Sequence, residues 1–398
     1  RASRGWRAGV ATSLFACAVA SDGASDGAGA DAVRIKELAK QQLKTTSDLE
    51  VENCHFQSLP DEILLKIVDY LHIRYLLRCG QTCRKIRAVV HDESLWKKVS
   101  FSSKTLVKTR LLQLVLEHGC EYLNITDKIF RHLTLNQEPV GHLTLNQDSK
   151  LKFLNLDLNS CYIDVIMHRS KIFAPLMTSC HSLEELHLTD FDINSDLIKS
   201  ICTQNSKTLK VLKLNWGKSR SSSTGPYMQL SVIQPIIDKC VELEELIFCE
   251  TGLSEESIDY LVKNITPKLS KLCLFGFSVQ DKHIEVLVGR CTNLTELNLV
   301  FTGITTDSLK HIIEKLQTTL EKLSLPGRFF SRSENFTKLF ELKAMKKLAV
   351  LDLSPVLIID RDLGKLESLT EQVPNVEIVH MIPTLKKQVL SGNFRCYE

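Results

Sequence analysis

The sequence predicts a mixed α/β fold: a small all-helical module followed by a curved solenoid of stacked strand–helix units, parallel strands concave and helices convex. Three observations carry this. From Leu151 onward the pattern L-x-x-L-x-L recurs eight times. Between recurrences the apolar period switches from two to the i, i+3, i+4, i+7 stripe of a helix. Upstream, residues 56–101 are rich in apolar residues at helical spacing and lack that recurrence.

The recurrences are LKFLNL (151–156), LEELHL (183–188), LKVLKL (209–214), LEELIF (243–248), LSKLCL (269–274), LTELNL (294–299), LEKLSL (320–325) and LAVLDL (348–353). Their middle anchors, from Leu154 to Leu351, are 32, 26, 34, 26, 25, 26 and 28 residues apart, the spacing of a leucine-rich repeat array. The last two anchors of each motif are two residues apart, so both face the core side of a strand. Ile258, Leu261, Val262 and Ile265 form a returning helix stripe, as do Ile284, Leu287, Val288 and Cys291, then Leu309, Ile312, Ile313 and Leu316. Helix starts are expected at Ser254, followed by Glu255 and Glu256, and at Asp281. Neither strand nor helix can bury its apolar face alone, so stacking buries them together.

Irregular places stand out. The longest gap holds GKSRSSSTGPY (217–227), a polar surface loop by composition, with serine phosphorylation as the sharper alternative. The gap before Leu186 carries its excess near CYIDVIMHRSKI. HLTLNQ occurs at 132–137 and again at 142–147. Ten residues cannot hold a repeat of 20–29, so at most one copy should stack in register. Residues 1–30 are rich in Ala, Gly and Ser and begin with Arg, as a fragment, a processed product or an imperfect gene model would. Arg4, Arg7, the apolar run Gly9–Ala20 and Ala18-Val19-Ala20 read as a secretory leader or as low-complexity sequence, the second being preferred. A short helix is expected within DAVRIKELAKQQL (31–43).

Composition excludes several function classes. The 50 Lys+Arg against 47 Asp+Glu give +3, with no basic stripe for nucleic acid. Only 17 glycines occur, and neither G-x-x-x-x-G-K-[ST] nor G-x-G-x-x-G, so a phosphate-cradling loop is not expected. No run of 18 apolar residues is present to span a membrane. The 13 scattered cysteines include no C-x-x-C and read as free thiols of a reducing compartment. Cys180, Cys240 and Cys291 complete helix stripes and are expected to be buried structural thiols rather than nucleophiles or ligands. The 12 histidines show no metal spacing, and the acidic pairs alternate with core leucines. No catalytic residue, metal site or cofactor is expected.

Residues 56–101 begin with Leu59-Pro60-Asp61-Glu62, a helix start with Pro and acids in its first turn. Ile63, Ile67, Tyr70 and Leu71 follow at helical spacing; Leu76, Leu77, Ile86, Val89 and Val90 continue; Leu95-Trp96 closes the run. A module of about 46 residues is marginal for an independent core and is expected to leave apolar surface for a partner. This segment resembles the F-box family, in the order Leu59-Pro60-Asp61-Glu62, Ile67, Tyr70-Leu71, Leu76-Leu77, Cys83-Arg84, Asp92 and Leu95-Trp96. It departs at Ile86, where the family usually has Trp, and at Thr82, where Val is common.

An F-box followed by leucine-rich repeats implies the non-catalytic substrate receptor of a cullin-based, SCF-type ubiquitin ligase. The resemblance implies that Leu59, Pro60, Glu62, Ile63, Leu64, Ile67, Leu71, Leu76, Leu77, Cys83, Leu95 and Trp96 serve a Skp-type adaptor, and through it cullin and RING subunits. The repeats would then hold a protein substrate. Repeat number and spacing most resemble the S-phase kinase-associated branch of the family, which implies cell-cycle substrates and the nucleus or cytoplasm, with no nucleic acid or membrane partner. Residues alternating with the anchors face outward on the strands: His187, Lys213, Asn215, Glu245, Ile247, Lys271, Phe275, Asn298, Val300, Lys322 and Asp352. Lys213, Asn215, Ile247, Lys271, Phe275, Asn298 and Val300 are the expected substrate-binding set. The tail with Phe394 and Tyr397 is the alternative cover for that face. The expected organisation is a low-complexity segment (1–53), F-box (54–101), linker and irregular first repeats (102–150), repeats (151–379) and tail (380–398). The alternatives are a repeat scaffold or inhibitor without a ligase, and a thiol enzyme needing an exposed, perturbed cysteine.

Overall fold

The computed structural model describes residues 59–71, 73–101, 109–126, 150–157, 173–189, 191, 193–215, 227–249, 251–327, 337–357, 360–381 and 394–396. The expectations for residues 1–58, for both copies of HLTLNQ, for most of GKSRSSSTGPY, for all of CYIDVIMHRSKI and for Tyr397 lie outside the described residues. The chain divides into two compact units: residues 1–99 with 114–121, and residues 100–113 with 122–398.

The described part of the first unit contains α1 (Asp61–Val68), α2 (Ile73–Cys79), α3 (Arg84–Val90) and a 3-10 turn at Glu93–Trp96, followed by β1 (Lys98–Phe101) and α4 (Thr109–Glu117), both of which straddle the division. Its three complete helices have seven or eight residues each, too short to persist alone in water. They are held by capping and by burial. Pro60 precedes α1 without a side-chain cap, its carbonyl accepting from the Ile63 and Leu64 N–H groups, and Asp61 and Glu62 lie in the first turn. The Cys83 sulfur accepts from the Ile86 N–H at the start of α3, and Asp92 accepts from Ser94 N–H before the 3-10 turn.

The second unit is dominated by a parallel sheet whose strands neighbour in chain order. Its regular strands are β2 (Tyr122–Thr126), β3 (Phe153–Asp157), β4 (Glu185–Thr189), β5 (Val211–Asn215), β7 (Glu245–Cys249), β9 (Lys271–Cys273), β10 (Glu296–Asn298) and β11 (Lys322–Ser324). It continues through β12 (Val350–Leu357), β13 (Glu377–Met381) and β14 (Phe394–Cys396). A small pair, β6 (Tyr227–Met228) with β8 (Gly252–Leu253), lies apart. Between strands run α5 (Ser195–Gln204), α6 (Leu230–Lys239), α7 (Glu255–Asn264), α8 (Asp281–Arg290), α9 (Asp307–Leu316) and α10 (Asp360–Gln372).

The L-x-x-L-x-L motif sets the register. Leu123, Leu154, Leu186, Leu212, Leu246, Leu272, Leu297, Leu323 and Leu351 are cross-strand partners in an unbroken row. All are essentially buried. A second hydrogen-bonding rule precedes each strand. The carbonyl two residues before a motif's central leucine accepts two N–H groups from the next repeat: Glu184 from Lys210 and Val211, Lys210 from Glu244 and Glu245, and Glu244 from Ser270 and Lys271. The same pattern runs on through Ser270, Thr295 and Glu321. The fold is therefore an array in which each repeat is ordered by its neighbour.

Helix ends obey local chemistry. Ser254 caps α7 as expected, its hydroxyl accepting from Ser257 N–H. Asp281 opens α8 as expected, and Gln280 before it is the cap, paired reciprocally with His283. The Asp281 carboxylate crosses to the next repeat, accepting from Thr305 N–H and Oγ1 at 2.8 Å each and from the Ser308 hydroxyl. Asn205 is fully buried and makes a comparable crossing. Its Oδ1 accepts from Leu183 N–H at 2.9 Å, and its Nδ2 donates to the Cys180 and Ile201 carbonyls.

Candidate functional site

In the helical unit, packing divides the apolar residues into two sets. Leu64, Val68, Leu76, Ile86, Val89, Val90 and Trp96 form its core. The Trp96 indole N–H donates to the Val90 carbonyl at 2.7 Å, and its ring lies 4.6 Å from that of His118. His118 Nδ1 is 2.8 Å from the Leu114 carbonyl and must donate there, so a neutral His118 presents Nε2 to accept from His91 Nδ1 at 2.9 Å. Lys85 fixes the start of α1, donating to the Leu59 carbonyl at 2.7 Å and pairing with Asp61 at 3.6 Å.

The second set remains partly in solvent. Leu59, Ile63, Ile67, Leu71, Leu77 and Leu95 are half-buried, Pro60 is exposed, and Tyr70 is 53% exposed. Pro60, Ile63 and Ile67 are spaced i, i+3, i+7 along one side of α1, while Leu64 and Val68 occupy the buried side. Of the twelve residues expected to serve an adaptor, Leu64, Leu76 and Trp96 therefore have side chains committed to the unit's own core. Cys83 is half-buried and spends its sulfur on a helix cap, and Glu62 is exposed in the first turn of α1. Ile86, where the family usually has Trp, is 1% exposed and fills a core position.

On the sheet, the outward residues Lys213, Asn215, Ile247, Lys271, Phe275, Asn298 and Val300 are half-buried, while Lys322 is exposed. Register brings some together. Lys213 lies 3.8 Å from Glu245, Lys271 lies 2.8 Å from Glu245, and Lys271 lies 3.5 Å from Glu296. The Glu245 carboxylate raises the Lys271 ammonium above its ordinary value. Phe275 packs against Phe301, ring centres 5.4 Å apart. The Asn298 side chain accepts from the Val300 N–H and shapes the turn after β10.

Sequence reasoning missed a second group. Tyr122 and Phe153 stack face to face at 3.8 Å, and Phe153 meets His187 edge-on at 5.1 Å. Asn155 donates to Asn124 at 2.9 Å, and Asn124 donates to Ser100 at 3.2 Å. Tyr122 and Asn124 belong to β2, whose YLNIT lacks the opening leucine of the motif; the Leu123/Ile125 alternation was the available signal. Among the described residues His187 Nε2 has no hydrogen-bond partner, and Glu185 at 3.8 Å is too distant for one. Burial, with the Lys213 charge, lowers its pKa to about 4.

Cys180, Cys202, Cys240, Cys273 and Cys291 are buried. A hydrogen bond with Cys240 and burial hold Cys202 protonated, a hydrogen bond with Cys249 does the same for Cys273, and burial pushes Cys291 up to about 11. These are the opposite of the conditions that make a thiolate nucleophile. Among the described residues, no cluster of three or more His, Cys, Asp or Glu is placed to hold a metal ion, and no helix is long and apolar enough to cross a membrane.

Residues 56–102 match the F-box-like family. The chain is similar to F-box/LRR-repeat protein 21 of Mus musculus, 22% identical over 210 residues that cover 50% of this chain and 46% of the relative. It is also similar to F-box/LRR-repeat protein 21 of Ovis aries, 21% identical over 57% of this chain and 53% of that protein. The chain thus aligns with about half the length of these relatives. Protein NLRC5 of Ictalurus punctatus is 24% identical over 56% of this chain and 13% of its own length. Among solved structures, the leucine-rich repeat-containing protein LegL7 from Legionella pneumophila aligns over 73% of this chain and 83% of its own at 15% identity, with a TM-score of 0.37. An F-box-like segment ahead of a parallel leucine-rich repeat sheet is the arrangement that the F-box/LRR-repeat relatives carry in their name.

Proposed function

We propose that the chain is the substrate-recognition subunit of an SCF-type ubiquitin ligase. The helical unit docks on a Skp-type adaptor, which links it to cullin and RING subunits, and the repeats hold the protein to be ubiquitinated. Rate enhancement in such an assembly is proximity between substrate and charged enzyme, with no chemistry by this chain. The observation that carries the reading is the half-exposed apolar set Pro60, Ile63, Ile67, Leu71 and Leu77, with Tyr70 beside it, in a segment that matches the F-box-like family. A unit this small gains by covering that surface, because apolar area removed from water is worth about 25 cal/mol per Å². Repeat spacing like that of the S-phase kinase-associated branch extends the proposal to cell-cycle regulators as substrates and to the nucleus or cytoplasm as the site of action.

The test is co-purification with a Skp-type adaptor, comparing wild type with an Ile63→Asp, Ile67→Asp double variant. Circular dichroism must show the variant folded. Stoichiometric binding by wild type and none by the variant supports the receptor. A folded wild type that binds no adaptor overturns it and leaves a repeat protein gripping a partner without a ligase.

A further inference from the structure

The turns after β9 and β10 stand out among the described turns. Phe301 sits at φ 59°, the one non-glycine residue in the left-handed region among the described residues. That conformation is costly for any side chain with a Cβ and is taken cheaply by glycine. The surroundings enforce it. Thr302 is fully buried, its N–H and hydroxyl both donate to the Leu299 carbonyl, and it bridges to Gly276, which is at φ 112°. Gly303 donates to the Val279 carbonyl at 2.7 Å, and a Cβ there would run into the carbonyls of Phe277 and Val279. Ser278 ties the same turn to the preceding repeat through the Leu253 carbonyl at 2.6 Å.

These two interlocked turns hold rings in water. Phe277 is 64% exposed and Phe301 51%, and Phe275 lies against Phe301. Phenylalanines this exposed bury little apolar area in return for a strained backbone, whereas rigid aromatic anchors are what binding hot spots use. The electrostatics narrow the partner. No residue from Leu272 to Gln280 or from Leu297 to Thr306 is charged. The nearest cation along β9, Lys271, is neutralised by Glu245 and Glu296. Along these two stretches a phosphorylated or strongly acidic segment meets no side chain of opposite charge.

We propose that Phe275, Phe277 and Phe301 form the docking edge for an uncharged segment of a partner protein that presents aliphatic or aromatic side chains. This rests on the reading of the repeats as the part that holds a protein, and it names the chemistry of what is held.

The experiment pans a phage-displayed random dodecamer library on the immobilised full-length chain, with synthetic versions of the selected peptides titrated against wild type and a Phe277→Ser, Phe301→Gly double variant. The expected result is enrichment of spaced apolar residues without charge bias, and at least tenfold weaker binding to the double variant. Phe301→Gly alone should leave the melting temperature unchanged or raise it, because it releases the left-handed strain; a marked fall would make Phe301 a structural residue and overturn the proposal. Acidic or basic consensus sequences, no enrichment, or equal binding by the double variant would also overturn it. So would wild-type self-association in sedimentation that the variant abolishes, since the occupant would then be a second copy. Adaptor co-purification run in parallel bears on the ligase reading alone, so the two can fail separately.

Discussion

In the helical unit, Ile63 and Ile67 sit one residue from Leu64 and Val68, yet only the second pair is buried. In the repeats, every middle anchor from Leu123 to Leu351 is buried, and so are most residues of the helix stripes that return to them. The repeat unit completes its core internally, each strand and helix covering its neighbour. The helical unit leaves apolar surface along the same helix that carries its core, whereas the large apolar side chains that the repeats leave exposed, Phe277 and Phe301 among them, lie outside the anchor row. The difference separates residues whose loss unfolds the chain from residues whose loss removes a partner. Leu246→Ala should cost about 2–5 kcal/mol, because it opens a cavity between the rows above and below. Ile67→Ala, half-exposed, should cost about 1 kcal/mol or less while weakening the adaptor contact. Denaturant unfolding of both, alongside adaptor binding, would break the comparison if Ile67→Ala proved the more destabilising.

Asn205 sharpens the repeat side. Its amide serves the Leu183 N–H and the Cys180 carbonyl, both in the preceding repeat. Asn205→Leu keeps the volume and strands those groups in the core, so a loss of about 2–4 kcal/mol is expected. Thermal melting measures it. A change below about 0.5 kcal/mol would mean that repeat stacking does not depend on this amide.

The acid response is the next in size. Burial and Lys213 lower the pKa of His187 from 6.5 to about 4, and burial followed by Lys282 lowers that of His283. His283 Nδ1 accepts the Gln280 N–H and Nε2 faces Asp259 at 3.1 Å, so the neutral ring with its proton on Nε2 is the form that fits. A folded pKa below the unfolded one means that the contribution is complete above about pH 6.5 and is lost as pH falls. Melting temperature should therefore decline from pH 6.5 towards pH 4, less steeply in a His187→Gln variant. An identical slope would show that His187 takes no part.

Much of this was legible because periodicity survives in sequence. Each motif names its own anchors, and Ser254 announces its helix by residue type. What stayed hidden depended on packing across repeats. Nothing in the sequence tells Ile63 from Leu64, since both lie within an apolar helical run and only the neighbours of α1 decide which is covered. Asp281 read as a helix start and does open α8, but that its carboxylate serves the next repeat at Thr305 and Ser308 could not be read from the sequence. The Tyr122–Phe153–His187 stack required register, and the backbone of Phe301 required the turns on either side.

Lys271 gives the smallest effect and separates charge from contact on the outward face. It lies between Glu245 and Glu296 and remains over a third exposed. Solvent screening reduces such a pair to below about 1 kcal/mol. Lys271→Ala should thus barely move the melting temperature, while leaving Glu245 with only Lys213, 3.8 Å away. The loss of one cation would shift the neighbourhood of Phe275 toward negative charge. If the docked segment is uncharged, its affinity should change by less than threefold, whereas an acidic segment should weaken and a basic one tighten, each more strongly at low salt. Titration of one selected peptide at two ionic strengths is enough to tell these apart. The sign of any change reports the charge of the partner that the ion-pair ladder otherwise masks.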